Sequence, residues 1–414
     1  MPGSVGPLGP NGRRGQAPVE SETIVDVNSH GMLDALFPHL ITLRRHFHQN
    51  PELAYNEIAT AQKVISELDE LGIPFDYPGK GGGVVGRFEG ARPGRTIALR
   101  AEMDALPCQE RTGLPFASRV PGQMHACGHD VHMAMLVGAA TLLKSDPPDG
   151  TVLFVFQPAE ESGNGSCAVI ESKALDDAEA IFAGHVTHHY RLGQIMVSSG
   201  TITAHADRFT VRVRGRGGHG ARPHEAVDAV VVTGLLITAI QTLVSRETNP
   251  VYPSVVTIGS IRAGTAHNVI AEHAVLEGTV RTTRPDVRDQ IITGLHRMAS
   301  AFGQIHGAEI DVEFGENAPP VINTVRETEA ARRAATQTVG SESVVEQEYP
   351  SMGAEDFSFY LKKIPGCCYV RIGTRGPDDE YVPLHSPRFD VDERVLGIGA
   401  EFFDRVAREA LRND

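Results

Sequence analysis

The sequence predicts an α/β protein, a mixed sheet flanked by helices, interrupted by a second, α+β unit. Three observations predict it. The short, almost wholly apolar runs Thr96–Arg100, Thr151–Phe156 and Ala180–Ala183 alternate with helical patterns, as strands buried on both faces of a sheet do. Each ends directly in acids or histidine: Glu102-Met103-Asp104, Gln157-Pro158-Ala159-Glu160-Glu161 and Gly184-His185. Open α/β sheets gather their sites beyond such carboxyl ends. Near residue 200 the pattern changes to strict alternation, and a strand-helix-strand-strand-helix-strand order follows.

Along the chain, residues 1–21 are rich in Gly, Pro and polar groups, lack an apolar signal-like stretch and read as a disordered tail. Leu33–His46 carries Leu36, Leu40 and Leu43 at helical spacing and ends in Arg44-Arg45-His46. Ala59–Leu71 is a second amphipathic helix, closed by Gly72 and Pro74. The five glycines of Gly79–Gly86 suit a hairpin turn better than a phosphate cradle, because no Gly-Lys-Ser/Thr follows. Ala134–Leu143 is helical. In the second unit Phe209, Val211 and Val213 alternate with Arg208, Thr210 and Arg212, which predicts a strand with one open face. A long helix at 226–248, strands at Val255–Ile261 and Ala274–Thr282, a helix at Val287–His306 and a strand at Glu309–Phe314 complete a split βαβ, ferredoxin-like sandwich over 204–316. Pro319-Pro320 marks its exit. A helix (Thr324–Thr338), a strand (Cys368–Ile372), the loop Leu384–Pro387 and a closing helix (Glu393–Leu411) then return to the first domain, which is discontinuous over 22–203 and 317–414.

A length of 414 residues suits two or three domains of about 150 residues each. The net charge of −14 argues against a nucleic-acid partner, which needs a basic face. Five cysteines, an odd and low count, do not make a disulfide framework and point to a reducing compartment, the cytoplasm. No apolar run of the length a membrane span needs is expected.

Chemistry concentrates in Met124–His132, which holds a thiol, three imidazoles and a carboxylate in nine residues. Cys127 and His129 lie two apart, so a looped backbone can aim both at one ion. Thiolate and imidazole suit zinc, manganese, nickel or cobalt better than calcium or magnesium. A helix start just after them would favour the thiolate. A buried structural cysteine beside surface histidines is the alternative. The adjacent carboxylates Glu160 and Glu161 repel unless a cation sits nearby. With a metal, one ligates and the other takes a proton from water; without one, they form a solvated turn. His185 and His385, each alone at an element end, read singly as structural histidines.

The stretches Leu43–Leu53, Ala98–Pro107, His125–Asp130, Phe156–Glu161, Gly217–Gly220, His267–Ile270, Met352–Phe357 and Leu384-His385 follow one another between about residue 36 and the closing helix. In that order they resemble the di-metal amidohydrolases that include hippurate hydrolases, N-acyl-amino-acid hydrolases, bacterial aminoacylase/carboxypeptidase homologues and plant auxin-conjugate hydrolases. The resemblance implies two divalent ions (Zn, Mn, Ni or Co) about 3.5–4 Å apart, bound by Cys127, His129, Glu161, His185 and His385. It implies that Glu160 is the general base and that Asn268 and Arg281 hold the substrate's carboxylate. It further implies that the inserted unit is a lid and dimerisation domain, so that His219 enters the active site of a partner subunit in a homodimer. The implied reaction cleaves the amide bond of an N-acyl amino acid, with water activated by the ions.

One departure is visible. The family usually has Asp-Met-Asp where this chain has Glu102-Met103-Asp104, so contacts near the ions differ at the longer Glu102. Asp104 is retained, either to orient a metal-bound histidine or in a plain structural role. His125 and His132 flank the ligands and are not assigned as such. A dipeptidase or carboxypeptidase on the same scaffold is the rival enzyme; such relatives more often carry Asp where Cys127 stands. A non-catalytic metal-binding homologue is the rival from another class, and Glu160 argues against it. A zincin motif fails because Asp228 stands where the second histidine belongs, and no G-x-S-x-G elbow supports a serine hydrolase.

Overall fold

A computed structural model describes residues 27–162 and 164–412, so the tail expected over 1–21 lies outside the described residues. The chain opens with α1 (Val27–Gln49) and α2 (Ile58–Glu70). Leu40, Leu43 and Phe47 of α1 and Val64 and Leu68 of α2 are buried in one core, as helical spacing requires. Strands β1 (Phe75–Asp76) and β2 (Val84–Glu89) pair antiparallel, so the glycine run between them is a hairpin turn. Then come β3 (Thr96–Glu102), α3 (His129–Ser145), β4 (Thr151–Gln157), α4 (Gly165–Glu171) and β5 (Ala180–Arg191), followed by the short β6 (Ile195–Met196) and β7 (Gly200–Thr201).

The next segment builds a separate sheet. It contains β8 (His205–Arg214), β9 (Gly218–His219), α5 (Ala229–Thr242), β10 (Ser254–Ala263), β11 (Val269–Ile270), β12 (His273–Thr282), α6 (Pro285–His306) and β13 (Glu309–Ala318). Four strands pair antiparallel in the order β10-β12-β8-β13, the order of a split βαβ sandwich. Phe209, Val211 and Val213 of β8 pack against Leu236 and Ile240 of α5 and Ile291 and Leu295 of α6, so both helices cover one face. The arginines of β8 stand on the other.

The helix expected at 226–248 is shorter. The Asp228 side chain accepts hydrogen bonds from the Val230 and Val231 N–H groups at 2.9 and 3.3 Å and so starts α5 at Ala229. A single π turn, Leu243–Glu247, ends it. The expectation of no span-length apolar run also needs correcting: Ala229–Glu247 has a mean hydropathy of 1.6 and is long and apolar enough to cross a membrane by composition. Its Val232, Leu236 and Ile240 are buried on the sheet, while Val230, Val231 and Leu235 are exposed.

The chain then adds β14 (Ile322–Asn323), α7 (Val325–Val339), β15 (Val344–Val345), β16 (Gly366–Arg375) and α8 (Val395–Leu411). The large sheet has the order β1-β2-β4-β3-β5-β16-β6-β15. Its central strands β4, β3, β5 and β16 run parallel and its flanks include antiparallel pairs, so it is mixed. Every residue of β3 and β4 is buried. Ile97 and Leu99 enter the core beneath α1, α3 and α8, whereas Ala98 enters a second core on the opposite face with Phe357 and Tyr360. The strand expected to end at Ala183 continues to Arg191, because its ladder with β16 runs unbroken through Thr187. His185 therefore stands inside a strand, not at its end.

Candidate metal centre and active-site cleft

The mixed sheet and one loop deliver the site. Cys127 lies just before α3 and His129 is its first residue. Gly128 between them has φ 86°, and a Cβ there would stand 2.4 Å from Val186 Cγ2. Glycine alone meets both demands, which lets the thiol and the imidazole turn to the same side. Cys127 Sγ lies 3.4 Å from His185 Nε2. Donor atoms fall within 4.8 Å of one another in each of three overlapping groups: Cys127, His129 and His185; Cys127, Glu161 and His385; His129, Glu160 and Glu161. The five residues expected as ligands thus converge, together with Glu160. Two non-glycine residues in left-handed backbone adjoin the cluster, Ala159 (φ 52°) before Glu160 and His385 (φ 66°). Such strain persists only where surroundings enforce it; the His385 N–H is held by Ala126 O at 2.8 Å.

The histidines are oriented through their other nitrogens. With Nδ1–H of His129 donating to Asp104 O at 2.7 Å, and that of His185 to Val186 O at 2.7 Å, each ring presents Nε2. His129 Nε2 is buried and has no hydrogen-bond partner among the described residues. Asp104 Oδ2 also accepts the Glu161 N–H at 3.0 Å, so Asp104 holds both a ring and the backbone of a neighbouring donor. His132 has no nitrogen left to offer: Nδ1 meets Glu102 Oε2 at 2.7 Å, and Nε2 accepts the Val186 N–H at 2.9 Å. His125 is buried with both nitrogens unpartnered among the described residues, and burial pushes it down to about 3.

The field of the cluster is negative. Burial, then Glu161 and Glu160, push the Cys127 thiol well up. Burial pushes Glu160 well up too, aided by Glu355 and Glu161. Burial would lower His129, but its bond to Asp104 and the charges of Glu102, Asp104 and Glu161 hold it at about 10. Carboxylates, a thiol and an orphaned imidazole nitrogen packed this closely are costly without cations. Divalent metal ions fit this donor set.

Sequence reasoning missed the network behind the cluster. Arg100, fully buried in β3, donates from Nε to Gln157 Oε1 at 2.9 Å and from Nη2 to Glu355 Oε1 and Asp356 Oδ1, both at 3.0 Å. It also pairs with Glu102, whose other oxygen holds His132. The added length of Glu102 thus spans Arg100 and His132. A signal existed: an arginine inside an otherwise apolar strand, and two acids within Met352–Phe357.

A cleft of about 250 Å³ adjoins the cluster and is lined by Glu160, Glu161, Glu355 and Asp356 on one wall and by Arg208 and Arg281 on the other. Arg281 thus lines the same cleft as Glu160 and Glu161. His219 and Asn268 do not line this cleft. His219 is exposed on β9, paired with Val269 of β11, and the Gly220 N–H donates to Asn268 O at 2.8 Å.

The model of peptidase family M20/M25/M40 matches residues 98–409. A thermostable carboxypeptidase of Saccharolobus solfataricus is 40% identical over 367 residues, covering 87% of this chain and 92% of that protein. An N-acetylcysteine deacetylase of Bacillus subtilis is 38% identical over 376 residues, covering 90% and 97%. An IAA-amino acid hydrolase of Arabidopsis thaliana is 37% identical over 382 residues, covering 91% and 86%. The crystal structure of a Bacillus subtilis protein described as a dinuclear metal binding peptidase superposes with a TM-score of 0.80 at 35% identity, covering 91% of this chain and 99% of that one. With the fold, the converging donors and these matches in agreement, this chain belongs to peptidase family M20/M25/M40 and is a hydrolase of amide bonds.

Proposed function

We propose that this enzyme hydrolyses the amide bond of N-acyl amino acids, with Cys127, His129, Glu161, His185 and His385 holding two divalent ions (Zn, Mn, Ni or Co). The observation that carries the reading is the position of Glu160, beside the donor cluster and across a cleft from Arg281. When bound, the ions supply Lewis-acid polarisation and a more acidic water. Glu160 accepts the water's proton and returns it to the leaving nitrogen. Burial and the neighbouring Glu355 and Glu161 raise its affinity for a proton, which makes its carboxylate the stronger base. Asp104 keeps the His129 ring and Glu161 in place. Arg281 grips the α-carboxylate with a two-pronged contact that lysine would not reproduce. Relatives named N-acetylcysteine deacetylase and IAA-amino acid hydrolase support an acylated amino acid as substrate. A carboxypeptidase is the second reading, favoured by the thermostable relative of that name.

The same proposal assigns 22–203 and 317–414 to a catalytic domain and 204–316 to an inserted domain that pairs with a second copy. Strand β10 is an edge of its sheet and exposes Val255 and Ile261, and the neighbouring α5 exposes Val230, Val231 and Leu235. An apolar edge of this kind is normally covered. In such a dimer His219 and Asn268, too, serve the partner's site. All five cysteines are free thiols, which suits the cytoplasm.

The test is turnover of N-acetyl- and N-benzoyl-amino acids beside dipeptides, with each metal and with chelator. Chelator-sensitive release of amino acid from the acylated substrates is expected. Cleavage of dipeptides alone would replace this reading with the second.

A further inference from the structure

Most arginines on the open face of the inserted sheet have an acidic partner. Arg212 pairs with Glu313 at 3.2 Å, Arg214 with Glu309 at 2.7 Å and Arg262 with Glu277 at 2.8 Å, each across a strand boundary. Arg208 and Arg281 differ. In the register of β8 and β12, Arg281 stands opposite Ala206 and Arg208 opposite Thr279. Both side chains therefore leave the same face as diagonal neighbours. Asp207, next in sequence to Arg208, is on the other face and is taken by Arg288 at 2.6 and 2.8 Å. Among the described residues, neither Arg208 nor Arg281 has a carboxylate within ion-pair distance. The one side-chain hydrogen bond of Arg281 among the described residues goes to its neighbour's carbonyl, Val280 O, at 3.3 Å. Burial and the charge of Arg208 lower Arg281, so the two guanidinium groups repel. Both line the cleft that faces Glu160 and Glu161.

A single α-carboxylate is matched by one guanidinium fork, which leaves the second cation unexplained. We propose that Arg208 is a specificity residue for N-acyl amino acids with a second carboxylate, the N-acyl-aspartate and N-acyl-glutamate class. Arg281 takes the α-carboxylate and Arg208 the side-chain carboxylate. The amide-hydrolysis part of this inference rests on the function proposed above; the selection of a dianion does not.

The experiment compares each acid with its uncharged isostere. Metal-loaded enzyme is assayed on N-acetylglutamate against N-acetylglutamine, and on N-acetylaspartate against N-acetylasparagine. The acid is expected to have the higher kcat/KM by about tenfold or more, as for gain of one charge-assisted pair. Arg208→Gln brings the ratio to about one, and Arg208→Lys restores part of it. In parallel, calorimetry measures binding of the same four compounds to Glu160→Gln, with and without Arg208→Gln. Tighter binding of the acids that depends on Arg208, without turnover of any of them, sustains the selection of a second carboxylate and overturns the amide-hydrolysis part. Equal preference for acid and amide in the parent, or a ratio unmoved by Arg208→Gln, overturns the inference.

Discussion

Two sheets in this chain place arginines in their strands, and the covering of each sheet decides what those arginines do. The mixed sheet has a core on both faces, and Arg100 within it has no exposed surface. Its guanidinium is held by Glu102, Gln157, Glu355 and Asp356. The inserted sheet is covered on one face, and Arg208, Arg212 and Arg214 of β8 stand exposed on the other. An unpaired charge in a doubly covered sheet costs several kcal/mol, so it must enter a complete network at folding. On an open face an arginine can wait for a ligand at little cost. One wall of the cleft is therefore fixed when the chain folds, whereas Arg208 and Arg281 on the other have no carboxylate partner among the described residues.

The largest effects are expected on the fixed wall. Glu160→Gln keeps the space but cannot accept a proton, so kcat should fall by about 10²–10⁴ with metal content unchanged. Elemental analysis beside turnover checks this, and near-parent activity would take the base away from this wall. Arg100→Met leaves Glu355, Asp356 and Glu102 buried without their cation. A loss of about 3–5 kcal/mol in urea unfolding is expected. A loss under about 1 kcal/mol would mean that the network is worth no more than a surface pair.

The same contrast explains what was legible in the sequence. Motif residues were readable because their types are chemically unusual: the thiol, the paired acids and the isolated histidines converge as expected. Strand cores were readable from unbroken apolar runs. What escaped was whatever depends on neighbours distant in sequence. The extension of β5 past His185 is set by its ladder with β16, so composition alone ended the strand too early. Arg100 marked a strand end in the sequence, yet it is an interior residue whose partners lie up to 256 positions away. The early end of α5 came from a π turn that helical spacing does not announce.

An intermediate effect is expected on the open side. His219 is exposed and apart from the cleft of its own chain, so a role for it requires the second copy. His219→Ala should lower turnover by about 10²–10³ if the imidazole steadies the oxyanion, with metal content unchanged. Mixing His219→Ala with Glu160→Gln then tests the sharing directly. A random one-to-one mix gives half mixed dimers, each with one intact site, so about a quarter of parent activity should return after subunit exchange. Exchange without recovery would place the function of His219 within its own chain or nowhere, and the open wall would lose its need for a second copy.

The smallest effect belongs to Arg212, and it sets the scale for the others. Arg212 and Glu313 meet at 3.2 Å with 51% and 64% of their side chains exposed. Water and salt screen such a pair, and two long side chains lose rotamer freedom in holding it. Arg212→Ala should therefore cost about 0–1 kcal/mol, and a double-mutant cycle with Glu313→Ala should give a coupling within that range that fades in high salt. Arg100→Met should keep its larger cost at the same salt concentration, because a buried pair is screened far less. A coupling at Arg212 as large as the loss at Arg100 would mean that this face is covered in solution, by the catalytic domain or by another copy. The open sheet would then be a second closed one, and the freedom of Arg208 to receive a substrate's carboxylate would end with it.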